Sequence, residues 1–183
     1  MHGTADSITR KRLAVLAITV AVLASAVSLT AAAETKTSLV DLEGRTVSLQ
    51  QLTESRATLL VFWATWCGPC RAEIPKINEA YRRFGDDGLA VLAVNPGIRD
   101  SLDSVRHYVN HFRLQYPVYF DPNQATRPAY ELIGTPTIIL LDADGREIQR
   151  GETVDLGAIE RLMSASGPEV PSDESRNPVT PRG

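Results

Sequence analysis

Hydrophobic positions recur along the middle of the chain with two different spacings, and their alternation predicts the elements. Continuous apolar runs at 58–64 and 89–94 are short and rich in β-branched, aromatic and aliphatic residues, so they read as buried strands. Between them Ile74, Ile77, Tyr81 and Phe84 repeat at helical spacing, predicting a helix from about Cys67 to Phe84 that stops at Gly85. A second amphipathic helix is predicted over 100–112, with Leu102, Val105, Val109 and Phe112 on one face. Residues 39–49 read as a hairpin around Glu43 and Gly44, and 117–120 as a short strand. A short helix follows over 123–132, accommodating Pro128 only near its first turn. The strand at 137–141 turns at Asp144 and Gly145 into 146–150, and 156–163 closes the body as a helix. Strands alternating with helices predict an α/β domain, and no internal repeat is visible.

The two ends follow different rules. Arg10, Lys11 and Arg12 precede an apolar run at 13–29 and then Ala31, Ala32, Ala33 and Glu34, the order of charged, apolar and small-residue regions in a secretory signal. Cleavage after Ala33 fits this order. An uncleaved anchor also fits, since 13–33 carries no charge and a membrane span needs about 20 such residues. Either way the body is expected outside the cytoplasm. The apolar run ends in no cysteine, so lipid attachment has no residue to use. The C-terminal stretch, with Gly167, Pro168, Pro171, Pro178 and Pro181 among polar residues, reads as a disordered tail. The expected organisation is a signal or membrane anchor at 1–33, one domain at 34–164 and a tail at 165–183.

Charge narrows the partners. The formal net charge is −3, and with three basic residues and one acidic residue in the first 33 positions, the remainder carries −5. A mildly acidic body with no basic stripe excludes nucleic acid as an expected partner.

The chain has two cysteines, Cys67 and Cys70, directly after a predicted buried strand and at the start of a predicted helix. A sulfur there meets unpaired backbone N–H groups and the positive end of the helix dipole, which favour the thiolate. Cys67 is therefore the expected nucleophile, exposed at the helix mouth. Cys70 falls on the same stripe as Ile74 and Ile77 and is the expected shielded, resolving thiol. Gly68 and Pro69 are expected to turn the chain into the helix and fix its first residues. A structural disulfide closing so short a loop would be a weak staple, and a zinc site would need two further ligands. His107 and His111, four apart on the solvent face of the second helix, are a weak metal candidate. Trp63 reads as core, and Trp66 as a residue that touches substrate. Arg71, in the first helical turn, is a candidate support for the thiolate.

The run Phe62-Trp63-Ala64-Thr65-Trp66-Cys67-Gly68-Pro69-Cys70-Arg71 resembles thioredoxin and, more closely, the exported TlpA/ResA branch of that superfamily, over residues 38–163. The resemblance implies a thioredoxin-like fold: a central mixed sheet flanked by helices, with an extra helix and strand between Asn95 and Phe120, ahead of the cis-proline strand. It implies that Pro75 kinks the first long helix and that the Thr135–Pro136 bond is cis and lies against the sulfurs. Thr135 would then pair by its backbone with an extended substrate segment. Val61 stands where thioredoxin carries a buried aspartate. Glu73 is the candidate for the missing proton relay, because the branch often has an acid at that position; the alternative is a solvated Glu73 paired with a nearby base.

As to activity, the resemblance implies a protein-disulfide reductase at the bacterial periplasm or the outer face of the cytoplasmic membrane. No cofactor is expected besides the Cys67–Cys70 pair. The Gly-Pro dipeptide resembles thioredoxin, at about −270 mV, rather than oxidants near about −120 mV. Electrons would then come from a membrane thiol donor of DsbD/CcdA type. Exported proteins with disulfides are the expected clients, apocytochrome c and copper-site assembly proteins among them. Two other readings stand beside it: a thiol peroxidase of AhpC/TSA type, for which the spacing of Thr65 and Cys67 does not fit, and a non-catalytic copper-handling thiol module.

Overall fold

A computed structural model describes residues 37–165. The expected export signal or anchor at 1–33 and most of the expected tail lie outside the described residues. The chain runs β1 (Ser38–Asp41), β2 (Thr46–Ser48), α1 (Leu49–Leu52), β3 (Ala57–Phe62), α2 (Gly68–Phe84), β4 (Leu89–Asn95), α3 (Leu102–Phe112), β5 (Val118–Phe120), α4 (Thr126–Ala129), β6 (Thr137–Asp142), β7 (Glu147–Gly151) and α5 (Leu156–Ala165).

One seven-stranded sheet has the order β2-β1-β5-β4-β3-β6-β7. Strands β3, β4 and β5 are parallel, and the outer pairings are antiparallel, so the sheet is mixed. Every residue of β3 is buried because both faces of the strand are covered. Leu59 and Val61 point to the side where α2, α3 and α5 pack, through Ile77, Val105 and Ile159. Leu60 and Phe62 point to the other, where Leu39, Leu49 and Ile139 close the core. Full burial of a side chain such as Phe62 contributes about 1.5–3 kcal/mol. The helix and strand expected ahead of β6 are α3 and β5.

Helix α2 runs through Pro75 without ending. Pro75 has no N–H to offer, and the period of Ile77, Ala80 and Phe84 carries the buried face past it. Helix α3 starts at a capping box: the Ser101 hydroxyl accepts from the Ser104 N–H at 3.2 Å, and the Ser104 hydroxyl accepts from the Ser101 N–H at 2.9 Å. Arg113 closes it in the left-handed conformation.

The helix expected over 123–132 is corrected to a single turn at Thr126–Ala129. The Asp121 carboxylate takes the N–H groups of Asn123 and Thr126 and the Thr126 hydroxyl, which holds the chain in turns until residue 126. Gln124 and Glu131 have positive φ, 56° and 50°, and neither fits a continuous helix. The pattern also missed α1, a turn too short to show a period.

Candidate active site

Strand β3 delivers the chain to the site. The Trp63 N–H donates to the Val94 carbonyl at 3.2 Å, so the strand's pairing carries one residue past its end, and the Cys67 N–H donates to Ala64 O at 3.1 Å in a tight turn. Cys67 is the N-cap of α2, with extended backbone (φ −83°, ψ 101°), and its sulfur accepts the Cys70 N–H at 3.2 Å. A sulfur in this position serves one of the orphan donors of the helix start, a role usually filled by Ser, Thr, Asp or Asn.

Cys67 and Cys70 form a disulfide. Both residues are 5% exposed: Cys70 is shielded as expected, and the exposed Cys67 expected at the helix mouth is corrected. In the oxidised pair the Cys67 sulfur is turned toward Cys70 and its N–H. What meets solvent is the rim: Trp66, half-exposed, with Gly68 and Pro69. Gly68 and Pro69 open α2, as expected of them. The φ of Gly68 is not positive and a Cβ there would meet nothing within 4 Å, so the backbone does not require glycine at that position.

The Thr135–Pro136 peptide bond is cis. Pro136 is buried and, with Cys70, Glu73, Trp63 and Val61, lines a cavity of about 10 Å³ behind the disulfide. Thr135 precedes it, partly buried, with a hydroxyl that has no partner among the described residues. Tyr108 and Tyr116 complete the cavity wall. Burial pushes the Tyr108 phenol up in pKa, against a smaller lowering by Arg71, and burial with Tyr108 beside it pushes Tyr116 up further. Both phenols are neutral hydrogen-bonding groups near neutral pH.

Glu73 is buried, 7% exposed. Its Oε2 accepts the Val154 N–H at 2.8 Å, and its Oε1 accepts from Lys76 Nζ at 3.0 Å. It lines the cavity with Cys70 and is paired with Lys76, so the base of the alternative reading is present while its solvated position is corrected.

A cluster that the sequence did not reveal holds the loop before Cys67. Asp100 accepts the Thr65 N–H at 3.0 Å on Oδ2 and the Thr65 hydroxyl on Oδ1. Asn95, fully buried, donates Nδ2 to the same Oδ2 at 2.7 Å and accepts the Gly97 N–H at 2.9 Å. The Trp66 indole N–H donates to Ile98 O at 3.0 Å. A polar Asn ending an otherwise apolar strand was the available signal.

The remaining candidates fall as follows. Trp63 is core, 4% exposed and against Tyr108. Arg71 lies over the Phe112 ring, its guanidinium 5.5 Å from the centroid. His107 and His111 are exposed and stack on each other at 6.2 Å. Among the described residues no group of three His, Cys, Asp or Glu gathers to hold a metal, and no helix is long and apolar enough to cross a membrane.

Residues 22–149 match the AhpC/TSA family. The chain is similar to thiol-disulfide oxidoreductase ResA of Bacillus thuringiensis (strain Al Hakam), 32% identical over 107 residues, covering 58% of this chain and 60% of that protein. It is 29% identical over 106 residues to ResA of Bacillus subtilis (strain 168), covering 58% of each. The matched region thus spans about three fifths of these relatives. Among solved structures, the thioredoxin domain of a thiol-disulfide oxidoreductase from Bacteroides vulgatus superposes with a TM-score of 0.62 at 23% identity, covering 69% of this chain and 91% of that one, a likeness of fold. With a mixed sheet, a CxxC disulfide at a helix start and a cis-proline strand beside it, the chain is a thioredoxin-fold protein that belongs to the AhpC/TSA family.

Proposed function

We propose that the chain is an extracytoplasmic thiol-disulfide oxidoreductase that reduces disulfides of exported client proteins. The observation that carries this reading is the Cys67–Cys70 disulfide at the N-terminus of α2, with the Cys67 sulfur on a helix N–H. The curated relatives named thiol-disulfide oxidoreductase support it.

In the reduced form the Cys67 thiolate attacks one sulfur of a client disulfide. A Cys67–client bond forms, the client S–S bond breaks, and the other client sulfur leaves as a thiolate that takes a proton. Cys70 then loses its proton and attacks the Cys67 sulfur, which restores the Cys67–Cys70 bond and releases the second client thiolate. Two electrons pass to the client. Glu73, on the wall of the same cavity as Cys70, is the proposed acceptor of the Cys70 proton, the position that Val61 leaves without an acid. Trp66, Gly68, Pro69 and Thr135 form the rim on which an extended client segment would lie against Pro136. The electrons return from a dithiol of DsbD/CcdA type in the membrane, and apocytochrome c is one client this chemistry fits.

Cys70→Ser tests the reading. The variant is expected to accumulate mixed disulfides through Cys67, released by dithiothreitol, and the captured partners identify the clients. Failure to form any adduct with a small disulfide would remove the proposal; steady peroxide consumption by the native pair would favour the peroxidase chemistry of the wider family.

A further inference from the structure

The charge at the redox rim is opposite in sign to that of the body, and it is left uncompensated. Beyond residue 33 the chain carries −5, and arginines such as Arg45, Arg106 and Arg150 are matched to carboxylates. Arg71 and Arg99 are not: both are exposed, and neither meets a carboxylate among the described residues. Each is instead held on an aromatic face. Arg71 follows Cys70 and lies over Phe112; Arg99 lies over Trp66, the residue before Cys67, at 5.6 Å. Aromatic stacking fixes a guanidinium while leaving its charge and N–H fork for another partner.

Both positions are built. Trp66 is tied through its indole N–H to Ile98 O, and Arg99, the next residue, takes a left-handed φ of 59°. Three acids of the neighbouring segments have partners elsewhere. Asp100 faces inward to Thr65 and Asn95, Asp103 pairs with Arg106 at 2.8 Å, and Glu73 is buried on Lys76 and Val154.

We propose that this rim selects client segments carrying acidic side chains beside the reacting disulfide, with Arg71 and Arg99 as the residues that read them. The inference rests on the disulfide-exchange reading and adds a specificity to it. A client sulfur docked on Cys67 puts its neighbouring residues beside Trp66 and the first turn of α2, where the two guanidiniums stand. Carboxylates there are attracted, and lysines are repelled by like charge.

The test uses the reduced full chain and three synthetic disulfide peptides that differ only in the residues flanking the cysteine: Asp/Glu, Ser/Gly or Lys. The acidic peptide is expected to be reduced about tenfold faster than the lysine peptide at low salt, the lower end of electrostatic steering. The gap is expected to close near 1 M salt, where the Debye length is about 3 Å. Glu at both positions (R71E with R99E) is expected to reverse the order of the charged peptides. Because the same thiolate attacks all three, their ratio is insensitive to changes in its own reactivity. Equal rates for all three peptides would overturn the charge selection and leave disulfide exchange standing. Reduction of none of them would sink the exchange reading and this inference with it.

Discussion

Asp100 grips Thr65 through both of its carboxylate oxygens, one on the backbone N–H and the other on the hydroxyl. The two residues are 35 apart in sequence, and this grip fixes the turn that sets Cys67 at the head of α2. Asp100→Ala removes it and leaves the buried Asn95 amide short of its acceptor. Hydrogen bonds to a charged group contribute about 1.5–3 kcal/mol each, so a stability loss of about 2–4 kcal/mol is expected by urea titration. The rate of exchange with a small disulfide should fall about fivefold or more, with Asp100→Asn recovering part of both. An unchanged rate in Asp100→Ala would show that the turn holds itself.

Glu73 separates two jobs that a single substitution would confuse. Glu73→Gln keeps an acceptor for the Val154 N–H but cannot take a proton, whereas Glu73→Ala also strands that N–H, at about 1–3 kcal/mol. If Glu73 relays the Cys70 proton, the Gln variant should stay within about 1 kcal/mol of wild-type stability and release mixed disulfide about a hundredfold more slowly, the lower end of general acid–base catalysis. Rapid-quench measurement of adduct decay checks this. Wild-type decay in Glu73→Gln would leave Glu73 a purely structural residue.

Gly97 is required where Gly68 is not. Its φ is 71°, and a Cβ would come within 2.4 Å of the Asp121 carbonyl oxygen. Gly97→Ala therefore strains the backbone and pushes on the loop that carries Ile98 and Asp100. An expected loss of about 1–3 kcal/mol, with a change in Trp66 fluorescence as its Ile98 partner moves, distinguishes it from Gly68→Ala, which should change neither. Equal stability of the two alanine variants would contradict this.

Asp41 gives the fold a dependence on acid. Burial acts to raise its carboxyl, but the Arg45 N–H at 2.8 Å and the Arg45 guanidinium outweigh it, and the net direction is below the usual value. Because the folded value is the lower one, the stabilisation is fully present above the unfolded pKa of about 3.9 and is lost as pH falls through the folded value. Asp41→Asn should therefore lose less stability than wild type between about pH 4 and pH 2. Parallel urea midpoints across that range would count against the pairing.

These residues also mark how far the sequence could be read. The CxxC helix was legible because everything that specifies it is local: a buried run, a Gly-Pro step and an apolar stripe within one segment. The cis bond before Pro136 was legible only through resemblance, since no local pattern distinguishes it. Asp100, Asn95 and Thr65 were not legible as a group, because their meeting depends on β3 and β4 lying side by side, and Asp100 alone reads as a helix start. Likewise the Val154 N–H that holds Glu73 comes from 81 residues away. Where the pattern overreached, at 123–132, polar side chains of Asp121 and Thr126 had taken over the backbone donors, which a count of apolar positions does not register.

Strand β3 leads into the cysteines and β6 leads out of Pro136, and the two are zipped together with Phe62 opposite Thr137. The halves of the site are thus consecutive in space and nearly seventy residues apart in time, as a ribosome counts it. A chain emerging N-terminus first presents both thiols well before the segment of Pro136, which closes the cavity behind Cys70, exists. Nascent protein must pass through a stage in which its sulfurs are open to any oxidant or partner thiol nearby, and closing that window is a task for the last third of the polypeptide.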